Sequence, residues 1–392
     1  NADVATRGYT IVTYTDKDMQ KEACEGVRDI NDNSDGYEGA MTAVAKDRTL
    51  LAMVGGENRE ENQVNLATGA EGGGDGGDDW GSVRKAIIAA MALKNGMDPN
   101  QTFTVNNETP IPGASNDDGS PYIVDTRSGC RQLNKGEGSC EQSVYEILGV
   151  SSNTGAAEMM LTSGSEPTFG ADEVYELDRK LGGDIQGEVV PSVVVGSGGG
   201  STKGFANLFV NLTLNEGRAP YREGEEEPED PFSVDRIYNS EGILVWSHVR
   251  DRLPFLEEKQ VLDEQVANDT TQLLRAPEEA SYGTASNAFN LPSDKVAVKT
   301  GSATGGTDVT VAAAMSDSEI GATSEGENGG VAVAWWVGYP NYTNPETGEI
   351  NRLPEGFSSG DLARIAGIHL TKVGVSDDNS LLPGDSTRVI SR

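Results

Sequence analysis

Apolar positions recur with two periods along the chain. After Thr15 or Asp16, Met19, Ala23, Val27 and Ile30 fall three or four apart, which puts them on one face of a helix with one of those two residues as its cap. The β-branched and aromatic run YTIVTY at 9–14 predicts a strand just before it. Residues 39–55 carry two apolar arms around a polar turn at 46–48, and Gly55-Gly56 closes the second arm, the pattern of a β-hairpin. Residues 82–95 (SVRKAIIAAMALKN) are apolar almost all round and run into Gly96, as a buried central helix with a glycine C-cap would. Shorter helices are predicted over 141–150, 155–161, 171–181 and 205–215, and a more charged one over 258–275. Residues 234–248 read as a hairpin turning at 239–242. KVAVKTG at 295–301 and VAVAWWVGY at 331–339 read as strands, the second apolar throughout. No internal repeat is present. Helices packed on one sheet of mostly antiparallel strands, an α+β architecture, is the assembly this pattern implies.

Charge changes the picture of partners. Asp and Glu supply 63 residues against 30 Lys and Arg, so the formal net charge is 30 − 63 = −33. Such a surface repels phosphate backbones and anionic headgroups, which argues against nucleic-acid binding and electrostatic membrane docking. Acidity alone describes habitat, since it also keeps a protein hydrated in a salty exterior. The two histidines, His248 and His369, are too few for a polyhistidine zinc site and argue against a Ser-His-Asp triad. No stretch reaches the roughly 18 uninterrupted apolar residues of a spanning helix. The chain opens on Asn1 without a Met, so it is expected to be a soluble piece of something longer. Cys130 and Cys140 share a Gly- and charge-rich loop, SGCRQLNKGEGSC. A local disulfide there implies an oxidising compartment, and two free surface thiols are the alternative. Cys24 falls on the first helix as a small buried apolar residue. The segment GSGGGSTKG at 196–204 invites a phosphate-loop reading, but Ser201-Thr202 precede Lys203 where that loop needs the reverse order.

Three short motifs carry candidate chemistry. They are Ser82-Val83-Arg84-Lys85, Ser151-Ser152-Asn153 and Lys299-Thr300-Gly301. Singly, each has a bland reading: a solvated helix face, a helix cap, a strand running into a turn. In this order they match a known signature of serine acyl-enzymes, and a physical case can be made for each part. A serine hydroxyl is a weak nucleophile until a base removes its proton. Residues three apart on a helix share a face, which brings Lys85 to the Ser82 hydroxyl. Burial and a neighbouring cation, Lys299, favour the neutral amine that a base must be. Ser151 suits a proton shuttle between Lys85 and a leaving amine, and Asn153 suits both the substrate amide and the Lys85 ammonium. The start of the helix offers a backbone N–H beneath a developing oxyanion, and the strand offers a second at Ser302. Lys299 and Thr300 suit a substrate carboxylate.

The ordered trio resembles the signature of serine enzymes that recognise penicillin. Over almost its whole length the chain resembles the transpeptidase domain of a penicillin-binding protein, most like the bifunctional class A type. YTIVTYTDKDMQKEA resembles that family's entry strand and helix, and TAVAKDRTLLAMVGG its first hairpin. KGFANLFVNLTLNEG, NSEGILVW, GTA at 283–285 and AWWVGYP resemble later elements, and the cysteine loop before the second motif resembles actinobacterial members. The resemblance implies a penicillin-binding-protein or serine β-lactamase-like fold, in which an antiparallel five-stranded sheet is flanked by a helical subdomain. It implies one transpeptidase domain over 1–392, with the glycosyltransferase and membrane anchor outside this chain. It implies a serine acyl-enzyme that cross-links peptidoglycan stem peptides with release of D-Ala and is acylated by β-lactams. Ser82 is then the nucleophile, Lys85 its base, Ser151 and Asn153 the second motif, Lys299, Thr300 and Gly301 the third, and Ser302 the second oxyanion donor. No cofactor and no metal are implied. The expected place is the extracytoplasmic side of a bacterial membrane, with stem peptides, β-lactams and cell-wall synthesis proteins as partners. Hydrolysis in place of transfer, or a degenerate peptidoglycan-binding module, are the alternatives. Departures from the family are Arg84 for an aromatic residue, Ala86 for Pro, an acidic Gly-rich loop before Ser82, Ser302 for Thr, and about 20 extra residues before AWWVGY, read as a long acidic connection. They bear on substrate fit and rate more than on fold.

Overall fold

In the computed structural model of the protein, the described residues are 8–373 and 382, less 33, 35, 57–62, 73–77, 116–119, 125–128, 162–167, 304, 318–319, 321–328, 342 and 345–346. The chain starts with β1 (Thr10–Thr13) and helix α1 (Lys17–Asn31), followed by the hairpin β2 (Glu38–Ala45) and β3 (Leu50–Val54). Asp16 is the cap of α1, accepting the Met19 N–H at 2.7 Å, and Met19, Ala23, Val27 and Ile30 are all buried as their spacing requires. A 3₁₀ turn, Gly81–Arg84, leads into α2 (Lys85–Lys94), which is buried at every position but its last. Then come α3 (Asn153–Leu161), α4 (Ala171–Lys180) and α5 (Thr202–Phe209). A small hairpin, β4 (Val234–Tyr238) and β5 (Leu244–Ser247), precedes α6 (Glu264–Leu273). The chain closes with β6 (Val296–Ser302), β7 (Asp308–Asp317), β8 (Gly329–Gly338) and α7 (Ser359–Lys372).

The central sheet has five antiparallel strands in the order β6-β7-β8-β2-β3. Strand alternation sorts its two faces. Val298, Val311, Val333 and Trp335 pack with Met41 beneath α1 and α7. On the other face stand Ala297, Ala312, Ala314, Ala332 and Ala334, small enough for α5 to lie close, with the helical subdomain of α2, α3, α4 and α6 beyond it. Both faces are therefore dry. Each large apolar side chain buried there contributes about 1.5–3 kcal/mol.

Several expectations are corrected. The supposed connection before AWWVGY contains β7, buried at all ten positions; 304, 318–319 and 321–328 of it lie outside the described residues. The charged helix expected over 258–275 begins only at Glu264. Its first residues belong to a strand, Leu256–Gln260, that pairs with Arg218–Arg222. The strand expected at 9–14 joins the small hairpin β4–β5 instead of the central sheet. The helix expected from 141 starts at Val144, behind a capping box of Ser143 and Glu146. Cys130 and Cys140 form a disulfide with their Cα atoms 5.8 Å apart, while Cys24 is half-buried instead of buried. Residues 73–77 of the Gly/Asp-rich loop before Ser82 lie outside the described residues. Among the described residues no helix is long and apolar enough to cross a membrane.

Candidate active site

Ser82 sits in the 3₁₀ turn, 8% exposed, and Lys85 opens α2 fully buried. The Nζ of Lys85 lies 2.7 Å from Ser82 Oγ, 2.9 Å from the Ser151 carbonyl oxygen and 2.5 Å from Asn153 Oδ1. The Ser151 carbonyl and Asn153 Oδ1 can only accept hydrogen bonds. A neutral Lys85 amine spends its two N–H groups on them, and its lone pair then faces Ser82, the one of the three with a proton to give.

Ser151 reaches both lysines. Its backbone is left-handed, with φ of 57°, a conformation that costs a non-glycine residue about 1–2 kcal/mol. That turn sends its carbonyl to Lys85 while its hydroxyl accepts from Lys299 Nζ at 2.9 Å. Lys299 lies on β6 on the face toward the helical subdomain, fully buried, and also donates to the Thr300 carbonyl at 2.9 Å. Both partners are neutral oxygens. Burial alone pulls the Lys299 pKa down to about 7, so near neutrality the group is divided between ammonium and amine.

The rest of the third motif shapes the cleft. Thr300 Oγ1 donates to Thr284 Oγ1 at 2.7 Å. Thr284 leads a loop that Glu278 anchors by accepting the N–H groups of Ala288 and Phe289 at 2.9 and 3.2 Å; burial pushes the Glu278 carboxyl up to about 7. Gly301 must be glycine because a Cβ there would sit 2.2 Å from the Trp80 carbonyl oxygen. The Ser302 hydroxyl is 3.5 Å from that of Ser359, at the head of α7. Gly81, with φ of 50°, abuts the Ser302 backbone so closely that a Cβ would meet its carbonyl oxygen at 2.5 Å. The backbone of the Ser82 turn and the end of β6 are therefore neighbours.

All eight residues singled out in the sequence meet here: Ser82, Lys85, Ser151, Asn153 and Lys299 through one run of hydrogen bonds, and Thr300, Gly301 and Ser302 along the adjoining strand. Thr284 was not among them, though the GTA turn that holds it was visible. Arg84, a departure expected to bear on substrate fit and rate, is 1% exposed and paired with Asp178 at 3.1 Å. Among the described residues no group of three or more His, Cys, Asp or Glu side chains is arranged to hold a metal ion.

No family model and no curated protein sequence matches the chain. Solved structures do. The penicillin-binding protein PonA1 from Mycobacterium tuberculosis superposes with a TM-score of 0.68 at 18% identity, covering 97% of this chain and 89% of that one. Penicillin-binding protein A from M. tuberculosis, solved as an imipenem acyl-enzyme complex, gives 0.65 at 17% identity, covering 95% and 82%. The D,D-transpeptidase domain of a peptidoglycan glycosyltransferase from Eggerthella lenta gives 0.61 at 17%, covering 93% and 83%. The chain therefore has the fold of penicillin-binding protein transpeptidase domains.

Proposed function

We propose that the whole chain is one serine D,D-transpeptidase domain that works on peptidoglycan stem peptides outside the cytoplasm, as part of a membrane-anchored protein. The carrying observation is the Lys85 amine, 2.7 Å from the Ser82 hydroxyl and also in contact with the Ser151 carbonyl and Asn153 Oδ1. Lys85 takes the hydroxyl proton as Ser82 Oγ attacks the penultimate D-Ala carbonyl of the donor peptide. The backbone N–H groups of Ser82 and Ser302 hold the oxyanion. As the C–N bond breaks, the proton on Lys85 passes through the Ser151 hydroxyl to the departing D-Ala amine. An acceptor amine then attacks the ester, returns the proton to Ser82 and releases the cross-linked product. Protonated Lys299, with Thr300, grips the terminal carboxylate of the donor. A β-lactam follows the same first steps, but its ring amide opens with no fragment lost, so the ester stays. The acyl-enzyme seen in penicillin-binding protein A, which shares this fold, supports that reading.

Labelling with a fluorescent penicillin, followed by intact mass, tests it. Wild type gains one adduct and Ser82→Ala gains none. Wild type left unmodified after long incubation would falsify serine acylation. Comparing hydrolysis with amine transfer on a D-Ala-D-Ala peptide then separates transpeptidase from carboxypeptidase.

A further inference from the structure

Arg84 lies inside the Ser-x-x-Lys segment, and the chemistry above leaves it unused. Its Nε and Nη2 donate to the Gly198 carbonyl at 3.2 and 2.9 Å, Nη2 also donates to the Gly199 carbonyl, and Nη1 donates to Asp178 Oδ2 at 3.1 Å. The guanidinium lies 5.0 Å over the ring of Phe205. The same ring stacks on Trp80 with centroids 4.0 Å apart. The second carboxylate oxygen of Asp178 accepts the Ile185 N–H at 3.2 Å. One side chain thus gathers α4, α5 and the 196–200 turn behind the turn that carries Ser82.

That gathering bears on the oxyanion site. The 196–200 turn presses on Gly81 from behind: a Cβ on Gly196 would sit 2.1 Å from the Gly81 carbonyl. On its other side Gly81 abuts Ser302. The backbone leading into Ser82 is held between these two contacts; Asp78 and Asp79 pair with Gly200 and Gly199 ahead of the nucleophile turn, and Arg84 is the side chain that ties the same segment to the turn from its far end. Five N–H groups in a rigid fork suit three acceptors spread over two chain segments, which the point charge of a lysine does not.

Resting on the acyl-transfer reading, we propose that Arg84 is a positioning residue. By holding the 196–200 turn against Gly81 it sets the spacing between the Ser82 and Ser302 N–H groups, and with it the fit of the oxyanion.

Stopped-flow acylation by a chromogenic cephalosporin, which separates the non-covalent dissociation constant from the limiting acylation rate, tests this on wild type, Arg84→Ala and Arg84→Lys. Hydrogen exchange at amides 81–85 and 196–200 is followed in parallel. In Arg84→Ala the limiting rate should fall on the order of 10²-fold, as misplacement by about 1 Å does, while the dissociation constant stays within about twofold. Millimolar guanidinium should recover part of the rate and slow the quickened exchange, and Arg84→Lys should recover neither. A folded Arg84→Ala with the wild-type limiting rate overturns the proposal, and so does a loss confined to the dissociation constant. Should Arg84→Ala not fold, Asp178→Asn and Phe205→Leu, each removing one support of the guanidinium, are read the same way, with about a tenfold loss expected. A wild type that is never acylated refutes the acyl-transfer reading itself; the exchange data then decide alone whether Arg84 holds the turn.

Discussion

Arg84 and Lys299 are both buried cations beside the Ser82 turn, and their surroundings are opposite. Behind the turn, Arg84 meets a carboxylate, two carbonyls and an aromatic ring. In front of it, Lys299 meets a hydroxyl and a carbonyl, and burial depresses its pKa to about 7. Charge behind the nucleophile is compensated and so holds structure together. Charge in front meets no carboxylate among these partners, which is the setting the proposed carboxylate grip needs. The same physical cost, burial of a cation, is offset by the fold behind the turn and, on the proposed function, would be offset by the ligand in front of it.

Replacement by Met at the two positions should separate them, with the larger effect behind. Arg84→Met leaves Asp178 buried without its cation. Even with Arg84 in place, burial pushes that carboxyl up to about 6. Breaking one side of a buried pair costs about 3–5 kcal/mol, to be read from urea unfolding at pH 7.5. A raised carboxyl pKa means stability is greatest where the group is protonated and is lost as pH rises through the folded value. The deficit of Arg84→Met should therefore shrink when the measurement is repeated at pH 5. A deficit that is small at pH 7.5 or equal at both pH values would show that Asp178 is not held by Arg84.

In front of the serine, the expected signature is in binding. If the carboxylate of a β-lactam needs the ammonium form of Lys299, the dissociation constant of the non-covalent complex should be flat below pH 7. Above about 7 it should rise by up to tenfold per unit, as the fraction of protonated lysine falls. Arg stays charged throughout this range, so Lys299→Arg should bind more weakly overall but lose the slope. A wild-type constant independent of pH between 6 and 9 would mean that this amine does not hold the carboxylate.

How much of this was legible in sequence depended on whether a residue's partners are local. The stripe Met19, Ala23, Val27 and Ile30 is written within one helix and came through unchanged, and of the two candidate caps, Thr15 and Asp16, it is Asp16 that accepts the Met19 N–H. Ser82 and Lys85 are three apart, and the other two motifs are contiguous, so the site could be assembled from motifs without knowing the fold. β7 was missed because a strand buried on both faces shows no alternation, and its centre, Ala312–Ala314, is alanine, a helix former. Glu258, Lys259 and Gln260 read as helix for the same kind of reason, and only pairing with residues 218–220 overrides their propensity. What Arg84 holds could not be read from the sequence, because its partners, Asp178 and Gly198–Gly199, stand 94 to 115 residues away with no pattern linking them.

The smallest expected effect sharpens the contrast most. Lys299→Met should abolish acylation while stability stays level or rises by about 1 kcal/mol, since an apolar side chain of similar length removes a desolvation cost that no carboxylate offsets. The pH dependence fixes the cause. With a folded pKa of about 7 and an unfolded value near 10.4, the unfolded chain holds the extra proton between those limits. Stability from this group is therefore present at high pH and lost as pH falls toward 7. Wild type should gain stability from pH 7 to 9 in thermal melts, and Lys299→Met should lack that gain. If instead the variant melts several degrees below wild type at pH 7, the contacts of Lys299 to Ser151 and Thr300 outweigh its burial. The front of the site would then be held together in the same way as the back.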